Sequence, residues 1–299
     1  MNNLIKLLLA LIFGSISISP ALARNSCDLS IQPIGETRVD DYNALSRQIQ
    51  LEQIRLRLRN NGNRDCVGRI VFRRIDGDGR LIGPQGAMLD YLIVDERNFN
   101  QQLFDPRTAR QNGLSIRVKA NSTREIRPRL FVKRNQFGIS GTYRSTIEAV
   151  FQPRGRPDND STALVRLAAN VIPGVQANFV GISRGGRGNA ASVLRLGEIE
   201  PGMRRTLGLQ LRSNTDVDVE VSSRNRGRLL RRARDAGSIG YQMNIGGSTV
   251  DLGTASSLVL PARVERRGRT SRIEIQVENF ENAPAGQYGD TILFRISAR

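Results

Sequence analysis

The sequence has 299 residues, with 45 Lys or Arg against 28 Asp or Glu, so its formal charge is +17; it contains no histidine and no tryptophan. The lack of histidine excludes imidazole-based triads and His-containing zinc sites, and two cysteines are too few for a multi-cysteine metal cluster. We therefore predict no metal and no cofactor, and a binding or structural protein rather than an enzyme.

The first 23 residues have the pattern of a cleavable secretory signal. Lys6 precedes an apolar run at residues 7–13, and small residues at 21–23 provide a cleavage site. The run is too short to span a bilayer as a helix. We expect export through this signal and a mature chain that begins at Arg24.

The two cysteines, Cys27 and Cys66, can form one intramolecular disulfide in an oxidising compartment. Closing a loop of about 40 residues would stabilise the domain by about 4 kcal/mol in the chain-entropy model. A free or intermolecular thiol is the alternative, and mass measurement without reductant would separate the two.

Period-two alternation of apolar and polar residues recurs after the signal, as expected of strands with one buried face. In the first such segment Ile54, Leu56 and Leu58 alternate with arginines. The alternating segments are residues 54–59, 114–119, 207–211, 217–221, 239–245 and 273–277. Many short strands separated by Gly and Asn turns predict an all-β fold of sandwich type.

A segment rich in proline, glycine and polar residues, 152–161, is the best candidate for a linker. It predicts a first domain at residues 24–160 and a second at 161–299. A weak internal repeat supports two similar domains, because residues 141–147 (GTYRSTI) resemble residues 286–292 (GQYGDTI). In both, a glycine turn leads into a strand that starts with an aromatic residue.

Several motifs of the second half resemble the spore coat protein U family, the pilin-like domains of archaic chaperone–usher pili. The motifs are residues 196–202 (LGEIEPG), 211–214 (LRSN), 219–229 (VEVSSRNRGRL), 239–241 (IGY) and 285–292 (AGQYGDTI). The first half is similar through Cys27, the polar turn 60–63 before Cys66, and residues 141–147. The second half has no cysteine pair, in contrast to many such domains.

The resemblance implies an immunoglobulin-like (pilin-type) sandwich that lacks its last strand, with an open groove filled by a strand from another chain. The implied partners are a periplasmic pilus chaperone, an outer-membrane usher and a neighbouring pilus subunit, and the implied destination is the periplasm and then a cell-surface fimbria. The residues expected to line the groove are Ile273, Ile275, Val277, Tyr288, Ile292, Phe294 and Ile296.

The short segment before the first cysteine indicates a position in the fibre. Only Arg24, Asn25 and Ser26 precede Cys27 after the expected cleavage, and three residues cannot fill a groove that needs about ten. We therefore expect a subunit that accepts a strand but does not donate one. Such a chain resembles a two-domain tip adhesin whose first domain binds a surface.

Two sets of residues are candidates for surface binding. Apolar residues beside loop-forming positions would form an adhesive patch if exposed together, although each is alternatively a core residue at a strand end; they are Leu81, Ile82, Phe99, Phe104, Phe137 and Ile139. Six arginines could bind anionic groups, although a solvated loop is the alternative; they are Arg224, Arg226, Arg228, Arg231, Arg232 and Arg234.

The competing hypothesis is a freestanding secreted or periplasmic protein that binds polyanions through two complete sandwiches, which the high positive charge favours. A periplasmic pilus chaperone is a third possibility, against which the ending 285–292 argues. Specific nucleic-acid binding is not predicted, because aromatic residues are 5% of the chain and none interleaves with the arginine cluster. Expression alone separates the first two hypotheses, since only the freestanding protein would be a stable monomer. The target of the expected adhesion is an abiotic surface or an anionic cell surface.

Overall fold

The computed structural model describes residues 26–46, 48–75, 79–105, 110–155, 161–181, 183–184, 192–232, 237–261 and 268–299. It consists of β-strands joined by turns and loops, with one 3-10 helix at Pro84–Gly86. The all-β prediction is confirmed. The expected signal at residues 1–23 lies outside the described residues.

The described residues before the junction between the domains form fifteen strands. They are β1 (Leu29–Pro33), β2 (Thr37–Tyr42), β3 (Gln50–Gln53), β4 (Leu56–Asn60), β5 (Cys66–Arg74), β6 (Leu81–Ile82), β7 (Met88–Leu89), β8 (Tyr91–Val94), β9 (Gln102–Asp105), β10 (Arg110–Gln111), β11 (Leu114–Val118), β12 (Thr123–Ile126), β13 (Arg129–Val132), β14 (Gly141–Pro153) and β15 (Ser161–Val171).

The first domain is a sandwich of two main sheets. One has the order β1-β4-β12, and the other has the order β11-β5-β14-β15-β2 with the β6–β7 hairpin beside β14. A further sheet, β10-β9-β8-β13-β3, extends the domain. Period-two alternation explains the burial, since Leu56 and Leu58 are buried in the shared core while Arg57 and Arg59 are exposed.

The boundary between the domains differs from the predicted one. Residues 152–161 connect β14 to β15, and these two strands pair antiparallel from Gly141↔Val171 to Phe151↔Ser161. Val165, Leu167 and Ala169 of β15 are buried in the core of the first domain. Residues 161–171 therefore belong to the first domain, and the boundary falls after Val171 rather than at residue 160.

In the second domain the part of the chain that the structure describes forms twelve strands. They are β16 (Val175–Val180), β17 (Ser183–Arg184), β18 (Ser192–Val193), β19 (Arg204–Ser213), β20 (Val217–Ser223), β21 (Arg228–Arg231), β22 (Ser238–Ile245), β23 (Ser248–Val250), β24 (Ser256–Leu260), β25 (Arg269–Val277), β26 (Tyr288–Gly289) and β27 (Ile292–Ala298). Its main sheets have the orders β16-β19-β25-β22-β21-β26 and β24-β20-β27.

The two domains repeat one topology. The order β1-β4-β12 in the first domain corresponds to β16-β19-β25 in the second, and β11-β5-β14 corresponds to β24-β20-β27. Corresponding strands also follow one another in the same order along the chain. An immunoglobulin-type sandwich places its last strand beside the strand represented by β14 and β27. In the first domain β15 takes that place, and no counterpart follows β27 in the described part of the chain.

The junction between the domains is held by Asn214, whose side chain and backbone are buried. Its amide Nδ2 donates to the Ile172 carbonyl at 3.0 Å, and its Oδ1 accepts from the Gly174 amide at 2.8 Å. Its own carbonyl accepts from the Ser140 amide at 3.0 Å. The guanidinium of Arg212 lies over the Phe137 ring, 5.0 Å from the centroid. The two domains therefore meet at a contact that combines hydrogen bonds to Asn214 with a cation–π interaction.

Candidate functional site

The C-terminal strand β27 has one free edge. It pairs antiparallel with β20 from Val217↔Ala298 to Ser223↔Ile292, and no strand of the described residues pairs with its other side. Across the opening lies β16, the edge strand of the opposite sheet. An edge strand leaves a row of unpaired backbone N–H and C=O groups, which is the feature that an added strand uses.

The inward face of β27 is apolar and incompletely covered. Ile292, Phe294 and Ile296 point inward and are only partly buried, although they pack on the core of the domain. Their neighbours on β20, Val219 and Val221, have no exposed surface. β20 has a paired strand on both sides, whereas β27 has one on a single side. The partial exposure of Ile292, Phe294 and Ile296 therefore results from the free edge of β27.

The opening between β27 and β16 is bounded by aromatic rings. Phe179 of β16 contacts Phe294 edge to face, with ring centroids 5.0 Å apart. Val175 and Phe179 are also partly buried against the core. These two residues were not among the predicted groove residues, because β16 shows no sustained alternation. We call the partly buried apolar surface formed by Val175, Phe179, Ile292, Phe294 and Ile296 the β27 groove.

In the first domain the position that corresponds to the β27 groove is covered by a strand of the same domain. Its strand β14 is covered on one side by β5 and on the other by β15, and Ile147, which corresponds to Ile292, is fully buried. The Ser161 hydroxyl of β15 donates to the Leu29 carbonyl of β1, so that β15 bridges the two sheets. Addition of one strand thus accounts for the difference in burial between the corresponding residues.

The predicted internal repeat has a structural counterpart in two tyrosines. The Tyr143 hydroxyl donates to the carbonyl of Ile139 at 2.8 Å, and the Tyr288 hydroxyl donates to the carbonyl of Pro284 at 2.7 Å. Each hydrogen bond joins residues four positions apart. It fixes the chain near the start of β14 in the first domain and shortly before β27 in the second. Tyr143 is fully buried, whereas Tyr288 is partly exposed. Burial raises the pKa of Tyr143 to about 12.

A polar network fixes the start of β27. The carboxylate of Asp290 accepts hydrogen bonds from the hydroxyls of Ser223 and Tyr241 and from the backbone amide of Asn225. It thereby joins the turn after β20 to the segment that leads into β27. Burial of Tyr241, together with the adjacent Asp290 carboxylate, raises the pKa of the Tyr241 hydroxyl.

The residues predicted to line the groove fall into three groups. Ile292, Phe294 and Ile296 lie along the free edge, as the hypothesis requires. Ile273, Ile275 and Val277 are buried in β25, which is paired on both sides by β19 and β22, so they form the core below the groove and not its rim. Tyr288 lies in β26 at the edge of the other sheet.

The predicted adhesive patch is not assembled. Leu81 and Phe104 are buried, so the prediction is wrong for these two residues, because each points into the core from its strand. Ile82 and Phe99 are 58% and 51% exposed, and Phe99 lies under the guanidinium of Arg129. Phe137 and Ile139 are partly buried beside the domain junction.

The six arginines predicted to bind anions do not act as one exposed cluster. Arg228 donates to the Ser238 hydroxyl, and Arg231 donates to the Ala285 carbonyl at 2.6 Å, so both are engaged in contacts within the domain. Arg224, Arg226 and Arg232 are exposed. Arg234 lies outside the described residues. The disulfide prediction is confirmed, since Cys27 and Cys66 are bonded.

The described residues hold no group of three His, Cys, Asp or Glu side chains placed to bind a metal ion. Within the same residues, no helix is long and apolar enough to cross a membrane.

Comparisons with known proteins find similarity only at the level of three-dimensional structure. No family model matches the chain, and no curated protein matches it in sequence. The chain is similar to a chain of the chaperone–tip adhesion subunit pre-assembly complex, CsuC–CsuE, from the archaic chaperone–usher Csu pili of Acinetobacter baumannii. The identity is 12%, the coverage 90% of this chain and 99% of that one, and the TM-score 0.46.

Two further solved structures are adhesins. The adhesive subunit CfaE of the CFA/I fimbria of enterotoxigenic Escherichia coli is 10% identical, with 89% of this chain and 94% of that chain covered and a TM-score of 0.39. The CupB6 tip adhesin of Pseudomonas aeruginosa is 8% identical, with 91% and 93% covered and a TM-score of 0.32. All three scores lie below 0.5 and establish neither a family nor a function.

Proposed function

We propose that this protein is an exported pilus subunit whose second domain is completed by a strand from another polypeptide chain. The observation that carries the proposal is the β27 groove, where Ile292, Phe294 and Ile296 are partly exposed while the corresponding part of the first domain is closed by β15. An incoming strand would pair with the free edge of β27 and cover these side chains. During export a periplasmic chaperone would supply that strand, and the outer-membrane usher and a neighbouring subunit would follow.

We further propose that the first domain faces outward at the tip of the fibre. Its last-strand position is already occupied by its own β15, so it needs no added strand there. A complete first domain and an incomplete second one suit a subunit that ends a fibre and binds a surface.

The test is to supply the missing strand in the same chain. We would append, after Arg299, a short polar turn followed by a copy of the β15 sequence Ser161–Val171, which closes the corresponding place in the first domain. Completing the burial of three side chains is worth on the order of 1 kcal/mol each. We expect the unfolding midpoint of the second domain to rise by about 10 °C, and soluble periplasmic yield without a chaperone to rise several-fold.

The matched control is an extension of the same length in which the residues corresponding to Val165 and Leu167 are aspartate. It should give no gain, because two carboxylates would face the apolar groove. If the unmodified chain alone is a stable monomer and the apolar extension changes neither yield nor melting, the proposal is wrong and a freestanding polyanion-binding protein is favoured.

A further inference from the structure

A basic cleft of about 970 Å³ lies on the first domain and was not predicted from the sequence. Four arginines on different elements line it: Arg69 on β5, Arg117 on β11, Arg124 on β12 and Arg154 after β14. They are spread over 85 positions of the chain. The sheet therefore brings together cations that have no sequence motif in common.

Strand pairing fixes the cations in two rows on the outer face of the sheet. Ser115 lies opposite Arg69, which in turn lies opposite Gln152. In the next row Arg117 lies opposite Val67, whose carbonyl accepts from the backbone amide of Arg154 at 2.9 Å. Because neighbouring strands are about 4.8 Å apart, Arg117 and Arg154 anchor at positions about 10 Å apart across Val67.

Hydrogen bonds orient the guanidinium groups. Arg69 Nε donates to Gln152 Oε1 at 3.0 Å, and Arg124 Nη1 donates to the Arg117 carbonyl at 3.0 Å, which draws Arg124 towards the cleft from the other sheet. Arg117 forms an ion pair with Asp65 at 2.9 Å. Among the described residues the other three guanidinium groups have no carboxylate partner, so the cleft is strongly cationic.

The cleft lies at the end of the first domain that is far from the second. Gln152 and Pro153 are the last residues of β14, whereas Ser140, just before β14, contacts the domain junction. A strand of 13 residues spans roughly 40 Å. The disulfide at Cys66 precedes Val67 directly and ties this end of β5 to Cys27. The cleft is thus on the part of the molecule that a tip subunit would turn outward.

We propose that this cleft binds an anionic polysaccharide, with Arg69, Arg124 and Arg154 binding its sulfate or carboxylate groups. The assignment gives a ligand class to the proposed adhesive role and rests on that role for the outward placement of the cleft. Guanidinium groups bind both kinds of oxyanion in a bidentate manner. Val67, 42% exposed, and Pro153 offer an apolar strip between the cations for the face of a sugar ring.

A nucleic acid fits the cleft less well. Bases of a single strand are held mainly by stacking on aromatic side chains, and the described residues that line the cleft include none. The mixture of cations, the Ser115 hydroxyl and an apolar strip is instead typical of a pocket that orients a small number of sugar units.

The test compares two variants that each remove two charges from the full chain, with and without the C-terminal extension described above. Arg69→Gln/Arg154→Gln alters the cleft, and Arg224→Gln/Arg226→Gln alters an exposed turn of the second domain. Binding to immobilised heparin, alginate, neutral dextran and a single-stranded oligonucleotide is measured over a range of salt concentrations. Thermal melting of each variant checks that the fold is intact.

We expect the cleft variant to bind heparin or alginate about tenfold more weakly. The slope of the logarithm of its binding constant against the logarithm of the salt concentration should become shallower by about two, because two charged contacts are lost. The turn variant should change binding by less than about twofold. Heparin binding alone would identify sulfate as the ligand group, and alginate binding alone would identify carboxylate; either supports the proposal.

Equal losses in both variants would show attraction by net charge alone and would overturn the proposal, as would unchanged binding in the cleft variant. Oligonucleotide binding as strong as heparin binding, and equally reduced in the cleft variant, would also overturn it. The extension tests the β27 groove of the second domain, and the polysaccharide assay tests the cleft of the first. Failure of one proposal can therefore be told apart from failure of the other.

Discussion

Asp290 is the side chain on which the start of β27 most depends. Its carboxylate accepts from the hydroxyls of Ser223 and Tyr241 and from the backbone amide of Asn225. The residue belongs to the second copy of the internal repeat, whose first copy has Ser145 at the corresponding position. The network is therefore specific to the domain whose last strand is missing from the described residues.

Replacing Asp290 by Ala should lower the free energy of unfolding of the second domain by about 3 kcal/mol, because the buried Tyr241 hydroxyl loses its acceptor. Urea denaturation of the extension-bearing chain measures the change. Asp218→Ala is the control, since Asp218 forms a solvent-accessible ion pair with Arg299, and a change below about 1 kcal/mol is expected. Equal effects of the two substitutions would contradict a special role for Asp290.

Individual inward and outward positions could be predicted from the sequence, because alternation is a local property. Leu56 and Leu58 are buried and Arg57 and Arg59 exposed, as the pattern indicated. The burial of Leu81 and Phe104 could not be predicted, since neighbouring turn-forming residues do not determine which way a short strand points its side chains.

The two faces of β27 differ in their exposure to solvent. Phe294 points into the β27 groove, and Leu293 beside it points outward and is 59% exposed. An added strand covers the inward face, so the two adjacent apolar residues should respond differently to the same substitution.

In the chain that carries the apolar extension, Phe294→Asp should abolish most of the gain of about 10 °C, whereas Leu293→Asp should preserve it. Each variant is compared with its own form without the extension, which separates loss of strand binding from loss of core packing. Differential scanning calorimetry gives both midpoints. A gain that survives Phe294→Asp would place the added strand elsewhere.

The edges of the sheets were the part of the fold that the sequence could not reveal. Ile273, Ile275 and Val277 alternate as clearly as residues on β27, yet they lie in a strand with neighbours on both sides. Which strand is left unpaired depends on contacts between distant segments. The composition of residues 152–161 predicts a linker for a similar reason, because proline, glycine and polar residues are common both in linkers between domains and in the connections between paired strands.

The two domains differ in what stabilises them, although they share one topology. The first has a closed core and the Cys27–Cys66 disulfide, whereas no disulfide is present in the described residues of the second. Asn60 adds to the first, because its side chain bonds to the carbonyls of Arg64 and Lys119 near the same end. The second is stabilised by packing and by polar contacts such as those of Asp290.

Reduction of the disulfide should therefore act on one domain only. With a sequence separation of 39 between the cysteines, the loss of the cross-link should lower the free energy of unfolding of the first domain by about 4 kcal/mol. Calorimetry of the extension-bearing chain with and without reductant should shift one transition and leave the other in place. A shift of both transitions by the same amount would show that the domains unfold as one unit.

The path of the chain through the junction has a mechanical consequence. β15 runs antiparallel to β14 and continues through Ile172 into β16, so a load between the far cleft and the second domain acts along these strands. The ladder bonds between β14 and β15 lie across that direction. They would have to break together in shear and not one after another, so a pull between the cleft and the second domain should not peel β15 away from β14 bond by bond.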